Sequence, residues 1–203
     1  FHFNIKGRLN SVFRRPQHYL YLTLSSIRFA NAANSIIIKP FNDKAYSMHS
    51  NGLYTRFLPD EEATLQLGEE WSKQLSAPLT IYLEGGLGAG KTTLTRGILR
   101  GLGHTGAVKS PTYTIVESYP LDAFTLHHFD LYRFTMPEEW EDAGLDELFA
   151  PDSICLIEWP QQGGEFTPPA DITITLTYTD KGRTCTFSAH TNQGRKSLES
   201  WSN

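Results

Sequence analysis

The segment Gly85-Gly86-Leu87-Gly88-Ala89-Gly90-Lys91-Thr92 has residue types and a spacing that suit the binding of phosphate groups. It matches the pattern G-x-x-x-x-G-K-[ST] at every fixed position. Glycines allow successive backbone N–H groups to converge on phosphate oxygens with no Cβ in the way. Lys91 can bridge the β- and γ-phosphates, and the Thr92 hydroxyl can ligate Mg²⁺. The segment therefore predicts a loop that binds a nucleoside triphosphate.

The surroundings of this loop favour the same interpretation. Leu79 to Leu83 is a short β-rich run before it, and Thr93 to Leu102 reads as a helix that Gly103 ends. A helix that starts near Lys91 directs the positive end of its dipole at the phosphates. The alternative is a glycine-rich turn that joins a strand to a helix and binds nothing. A strand before the loop and a helix after it are what phosphate binding requires.

Two acidic residues end predicted strands, where a metal-binding carboxylate is expected. Ile154 to Ile157 is a run of four apolar residues, typical of a strand buried on both faces, and Glu158 follows it. Residues 113–119 and 125–130 read as further strands, and Asp130 ends the second of them. A phosphate-binding loop needs a carboxylate across the sheet to hold Mg²⁺ or its waters. Glu158 departs from the more usual Asp, and either acid could instead be a solvated group where a strand ends.

Several nearby residues carry a weaker signal. The loop 109–114 offers three hydroxyls that could sense a γ-phosphate, although its chemistry alone favours an ordinary loop. His127 and His128 are adjacent on a strand, so they point to opposite faces and are expected to be core or surface residues rather than metal ligands. Trp159 is either a packing residue or a lid near the nucleotide.

Charge divides the 203 residues into two parts. The whole chain has a net charge of −4, but residues 1–47 hold seven basic residues and one acidic residue, a net +6. Residues 48–203 hold the other 11 basic and 21 acidic residues, a net −10. We predict a basic extension over 1–47 that is not part of the domain, and one domain over 48–203. The extension could be sequence upstream of a start at Met48, an organellar transit peptide or, less favoured, an RNA-binding arm.

The order of elements predicts an α/β fold. A short strand over 54–58 precedes a helix that Asp60 caps, and an acidic helical segment over 137–149 is broken near Gly144. Residues 172–178 alternate apolar and polar side chains, and 184–190 returns after a turn, which predicts an antiparallel hairpin. We predict a mainly parallel sheet flanked by helices, of the kind found in P-loop nucleotide-binding proteins, with this hairpin at its C-terminal end. The tail after Thr191 is polar and is predicted to be loose.

Composition excludes several classes. No run of about 18 apolar residues exists, so no membrane span is predicted. Cys155 and Cys185 cannot build a disulfide framework and read as reduced, structural thiols of a cytoplasmic protein. The chain has neither an Asn/Thr-Lys-x-Asp guanine motif nor an Asp-x-x-Gly switch, so ATP is the expected nucleotide rather than GTP. An arginine-rich lid, as in small-molecule kinases, is not apparent.

Four ordered motifs resemble the TsaE (YjeE) family, with a fifth, acidic segment that fits as well. The similarity runs from about Leu58 to near His190. The motifs are EGGLGAGKTTLTRG (84–97), VKSPTYTIVESY (108–119), HHFDLYR (127–133) and ICLIEWPQQG (154–163), and the acidic segment is PEEWEDAGLDELF (137–149).

The resemblance implies a small P-loop ATPase needed for threonylcarbamoyladenosine, the modification of the tRNA adenosine beside the anticodon. Such proteins bind the complex of TsaD and TsaB, and ATP hydrolysis is thought to reset that complex. ATP and Mg²⁺ are the implied cofactors, and tRNA is reached only indirectly. The roles it implies for single residues are phosphate binding by Gly88, Ala89, Gly90, Lys91, Thr92 and Thr93, magnesium binding by Thr92 and Glu158, an essential acid at Asp130, contact with the nucleotide at Trp159, and a place near the base for Glu61.

Two other functions stay open at this point. The chain could be a nucleotide-gated binding module in which hydrolysis is incidental, or a kinase for a small metabolite. Direct tRNA binding is disfavoured, because a net charge of −10 over 48–203 repels phosphates on average.

Overall fold

A computed structural model describes residues 53–199 in full and residues 46–49 as backbone. Except for Tyr46 and Ser47, the predicted extension lies outside these residues. The strands are β1 (Tyr46–His49), β2 (Leu53–Leu58), β3 (Leu79–Glu84), β4 (Val116–Pro120), β5 (Thr125–Asp130), β6 (Ser153–Glu158), β7 (Ile172–Thr179) and β8 (Gly182–Ala189). The helices are α1 (Glu61–Ser72), α2 (Lys91–Gly101), α3 (Glu139–Asp142) and α4 (Asn192–Glu199), with 3₁₀ segments at Leu145–Leu148 and Pro160–Phe166.

The described strands form one sheet in the order β1-β2-β8-β7-β3-β6-β5-β4. The four central strands, β7, β3, β6 and β5, pair in parallel. β4 pairs antiparallel with β5 at one edge, and β8, β2 and β1 continue antiparallel from β7 at the other. The predicted α/β class and the C-terminal hairpin are confirmed. Antiparallel pairing extends further than predicted, because it builds both edges.

Helices cover both faces of the central strands, as the burial of the side chains of β6 indicates. All six residues of β6 are buried, as expected for a strand covered on both sides. Ile154 and Leu156 pack into the core that α1 and α2 cover. Cys155 and Ile157 pack on the opposite face, in a second cluster with Trp140 of α3. Residues 85–92, the phosphate loop, follow β3, which pairs with β6 on one side and with β7 on the other.

Two predicted segments differ from the structure. The strand predicted over 113–119 begins only at Val116, because Thr112 turns back to donate a hydrogen bond to Asp130. The tail after Thr191, predicted to be loose, forms helix α4. The Thr191 hydroxyl accepts from Gly194 N at 3.1 Å, which caps the helix, and Leu198 is buried in the main core.

The predicted domain boundary at Met48 falls inside strand β1, whose residues 46–49 pair with 53–56 of β2. The boundary itself remains a prediction. None of the helices within the described residues is long and apolar enough to span a lipid bilayer.

Burial raises the pKa of the Cys155 thiol to about 12 and also raises that of Cys185. Both thiols are free and buried, as the sequence predicts.

Helices α1 and α2 approach closely at glycine, which brings the start of α1 against the phosphate-loop helix. A Cβ atom added at Gly68 would lie 2.6 Å from the carbonyl oxygen of Leu94 and 2.7 Å from the nitrogen of Ile98. Such distances leave no space for a methyl group unless the helices separate. The pair of helices thus depends on Gly68 for its spacing.

We expect Gly68→Ala to lower the free energy of unfolding by about 1–3 kcal/mol through overpacking. In an open helix the same change would raise it by about 1 kcal/mol, so the sign of the effect is informative. Denaturant unfolding measures both. Gln66→Ala, at an exposed position of the same helix, is the control, and a stabilising Gly68→Ala would contradict the close approach.

Candidate functional site

The phosphate loop connects β3 to α2 and has the backbone that its glycines allow. Gly85, Gly88 and Gly90 have φ angles of 138°, 76° and 107°. Glycine adopts such positive angles without the steric cost that a Cβ atom brings. Gly90 is the N-cap of α2 and no side chain caps that helix, so the first N–H groups of α2 remain available for a ligand.

Lys91 lies across the loop that it follows. Its Nζ donates to the carbonyl oxygens of Gly85 and Gly86 at 2.8 and 3.1 Å and lies 3.9 Å from Oε2 of Glu158. The side chain is only 4% exposed. Burial lowers the pKa of Lys91, and the carboxylates of Glu158 and Asp130 oppose this shift. The ammonium group is thus partly desolvated. Its attraction to an anion at this position would be stronger than in bulk water.

Glu158, at the end of β6, contacts the start of α2. Its Oε1 accepts from the Thr92 hydroxyl at 2.9 Å and lies 2.9 Å from Nε2 of His128. His128 is fully buried, and its Nδ1 has no hydrogen-bond partner among the described residues. Because the carboxylate accepts, the ring proton belongs on Nε2. His128 was predicted to be a core or surface histidine, and its contact with Glu158 was missed.

Asp130 ends β5 directly beside Glu158, since these two residues are register partners in the parallel pair β5–β6. Its Oδ2 accepts hydrogen bonds from the hydroxyls of Ser110 and Thr112, the second at 2.6 Å. Its Oδ1 accepts from the backbone N of Tyr132 at 3.1 Å. The loop 109–114, for which the sequence allows a switch or an ordinary loop, is therefore hydrogen-bonded to Asp130.

Trp159 also lines the cleft described below. Its backbone has a φ of 58°, in the left-handed region that few residues other than glycine adopt. Its ring lies 4.4 Å from Lys91 Nζ, and its centroid lies 5.2 Å from that of Tyr132. The indole thus contacts the phosphate-loop lysine and also packs against the cluster of Phe129 and Trp140. Its place beside a nucleotide stays a prediction.

These side chains enclose a cleft of about 290 Å³ at the carboxyl ends of the central strands. Its walls include most of the predicted site residues, together with Ser110 and Thr112 of the loop 109–114. The lining residues are Leu87, Gly88, Gly90, Lys91, Thr92, Thr93, Ser110, Thr112, Asp130, Tyr132, Glu158 and Trp159.

Two predicted site residues do not line the cleft. Ala89 has its side chain buried in the main core, so only its backbone can take part. Glu61 lies at the start of α1, where it accepts from Thr93 at 3.4 Å and pairs with Arg96 at 3.2 Å. Its carboxylate is 64% exposed. Glu61 thus contacts Thr93, which lines the cleft, but does not line the cleft itself.

The arrangement fits a phosphate chain together with a divalent cation. Backbone N–H groups and Lys91 suit the phosphates, while Thr92 and Glu158 offer one hydroxyl and one carboxylate oxygen. Mg²⁺ is commonly bound by few protein oxygens, with phosphate oxygens and water completing its shell. The fold and the cleft together define an α/β protein of the P-loop type.

Comparison with known proteins identifies the family. The family model described as "Threonylcarbamoyl adenosine biosynthesis protein TsaE" matches residues 58–185. The chain belongs to the TsaE family.

Named relatives agree with this membership. A protein of Haemophilus influenzae named "tRNA threonylcarbamoyladenosine biosynthesis protein TsaE" is 46% identical over 73% of this chain and 98% of its own length. A protein of the same name from Bacillus subtilis is 45% identical over 56% of this chain and 71% of its own length. The crystal structure of YdiB from Bacillus subtilis superposes with a TM-score of 0.63 and 32% identity, covering 74% of this chain and 94% of that one.

Proposed function

We propose that this chain binds and hydrolyses ATP and that it serves the formation of threonylcarbamoyladenosine in tRNA. The observation that carries the chemistry is the convergence of Lys91, Thr92 and Glu158 at one end of the parallel strands. Membership of the TsaE family supports the pathway. ATP rather than GTP follows from the absence of guanine-specific motifs in the sequence.

Each cleft residue has a defined part in this proposal. Residues 88–93 hold the phosphates through backbone N–H groups, with Lys91 between the β- and γ-phosphates. Thr92 and Glu158 hold Mg²⁺, which when bound neutralises charge on the phosphate oxygens. Asp130 orients the attacking water or a water of the metal shell, and Trp159 excludes solvent beside the nucleotide.

The chemistry of the cleft favours slow hydrolysis by the protein alone. No arginine is among the described residues that line it, so charge on the transferred phosphoryl group lacks an arginine finger. Asp130 already accepts three hydrogen bonds, two of them from the hydroxyls of Ser110 and Thr112. We infer that a partner, the TsaB–TsaD complex, completes the site or frees Asp130.

The same contacts favour a second candidate, a nucleotide-gated binding module. Since Ser110 and Thr112 donate to Asp130, a nucleotide that displaces either hydroxyl would move the loop 109–114. In that case ATP binding alone would control assembly with a partner, and hydrolysis would be incidental.

Lys91→Ala is expected to abolish ATP binding, because it removes the cation that faces the phosphates. Glu158→Gln is expected to keep the ATP affinity of wild type in EDTA. In Mg²⁺ its ATP affinity is expected to be lower than that of wild type by about tenfold or more. Isothermal titration with ATP, in Mg²⁺ and in EDTA, measures both affinities.

Lys73→Ala is the control for the loss of a lysine, since Lys73 is exposed at the end of α1. Thermal unfolding verifies that each variant is folded. If Glu158→Gln kept the full gain from Mg²⁺, Glu158 would not be a metal ligand.

Adding TsaB and TsaD is expected to raise the ATP turnover of the purified chain. The nucleotide-gated alternative predicts instead that complex formation follows the bound nucleotide, with ATP and a non-hydrolysable analogue acting alike. Steady-state phosphate release and size-exclusion binding, each in ATP, ADP and the analogue, separate the two. High turnover by the isolated chain that the partners leave unchanged would contradict the proposal.

Depletion of this protein in its own cells is expected to lower threonylcarbamoyladenosine in tRNA. Mass spectrometry of nucleosides from digested tRNA measures the modification. The wild-type gene should restore it, and the Lys91→Ala gene should not. An unchanged level after depletion would disprove the role in this pathway but not the ATPase activity.

A further inference from the structure

The outer side of the phosphate loop contacts the β7–β8 hairpin. Tyr178 and Arg183 are register partners across this hairpin, on either side of its turn. The Tyr178 hydroxyl donates to the carbonyl oxygen of Leu87 at 3.3 Å, and Nη1 of Arg183 donates to that of Ala89 at 2.8 Å. One cross-strand pair therefore holds two alternate carbonyls of the loop.

The glycines of the loop allow this contact. A Cβ atom at Gly88 would lie 3.0 Å from the Tyr178 hydroxyl oxygen, and one at Gly90 would overlap the Arg183 guanidinium. Both glycines also have positive φ angles. Gly88 and Gly90 are thus fixed by two requirements, the turn of the loop and the space taken by the hairpin side chains.

Peptide geometry gives the contact a consequence for binding. The peptide bonds Leu87–Gly88 and Ala89–Gly90 are trans. In a planar trans peptide the C=O and N–H groups point in opposite directions. Because the two carbonyls point outward at the hairpin, the N–H groups of Gly88 and Gly90 point inward, and both glycines line the cleft.

Arg183 acts here as a support rather than as an arginine finger. Its guanidinium lies on the carbonyl side of the loop, whereas phosphates are expected on the N–H side. Its Nε is buried without a hydrogen-bond partner among the described residues, so the guanidinium is partly desolvated. A hydrogen bond from a charged donor in such a place is stronger than a neutral one.

We propose that Tyr178 and Arg183 are positioning residues that fix the N–H groups of Gly88 and Gly90 for the β- and γ-phosphates. This inference rests on the proposed nucleotide binding. The hairpin therefore supports the nucleotide site, although none of its residues lines the cleft.

The test compares ADP and a non-hydrolysable ATP analogue by isothermal titration. Arg183→Met is expected to weaken both by about tenfold to a hundredfold, the range for loss of a charge-assisted hydrogen bond. Tyr178→Phe removes only a neutral donor and is expected to weaken both by about two- to tenfold. Arg183→Lys keeps the charge but not the fork of donors, and is expected to lie between wild type and Arg183→Met.

Arg100→Met is the matched control, because Arg100 pairs with Glu69 at 3.0 Å on the exposed side of α2. It is expected to bind as wild type does. Melting temperatures of the nucleotide-free proteins show whether the variants are folded. If Arg183→Met does not fold at the assay temperature, Arg183→Lys and Tyr178→Phe decide the matter.

Wild-type affinity in Arg183→Met, or in both other variants, would overturn the positioning role. Full affinity in Arg183→Lys with a loss only in Arg183→Met would also overturn it, because charge alone would then explain the effect. If the wild-type chain binds neither ligand, the proposed function fails and this inference fails with it. If wild type binds, Lys91→Ala does not, and the hairpin variants match wild type, only this inference is wrong.

Discussion

The buried carboxylate of Glu158 is the constraint on which the rest of the site depends. A charged group that is 3% exposed must be compensated by nearby donors or cations. Thr92 and His128 supply hydrogen bonds to one of its oxygens, and Lys91 supplies a cation 3.9 Å from the other. These partners come from the phosphate loop and from β5, so one acid fixes both elements around the end of β6. The cleft is thus organised even before a ligand adds its own charge.

Much of the fold could be predicted because its signals are local. The apolar run at the end of which Glu158 lies, the cap at Asp60 and the alternation over 172–178 each determine one element from neighbouring residues. Two segments could not be predicted in this way. The start of β4 depends on the contact of Thr112 with Asp130, 18 residues away, and α4 depends on Thr191, which also donates to Asp171. Contacts between distant residues leave no periodic pattern in the sequence.

The site shows the same division. The loop motif places Lys91 and Thr92 without ambiguity, because the spacing itself is the chemistry. His128 was harder, since a histidine on a buried strand most often packs, and only the pairing of β5 with β6 brings it to Glu158. Arg183 was not among the predicted site residues, because only its register with Tyr178 directs it at Ala89. Sequence reasoning locates the motif, and topology determines what surrounds it.

The position of β3 has a consequence for the order in which the chain can fold. This strand anchors the phosphate loop, yet both of its neighbours in the sheet, β6 and β7, come about 70 to 90 residues later in the chain. Pairings between such distant segments require a large loss of chain entropy and form slowly. While the chain leaves the ribosome, β3 and the loop therefore emerge long before the strands that hold them. The pairings that flank β3 can be complete only after Thr175 has been synthesised.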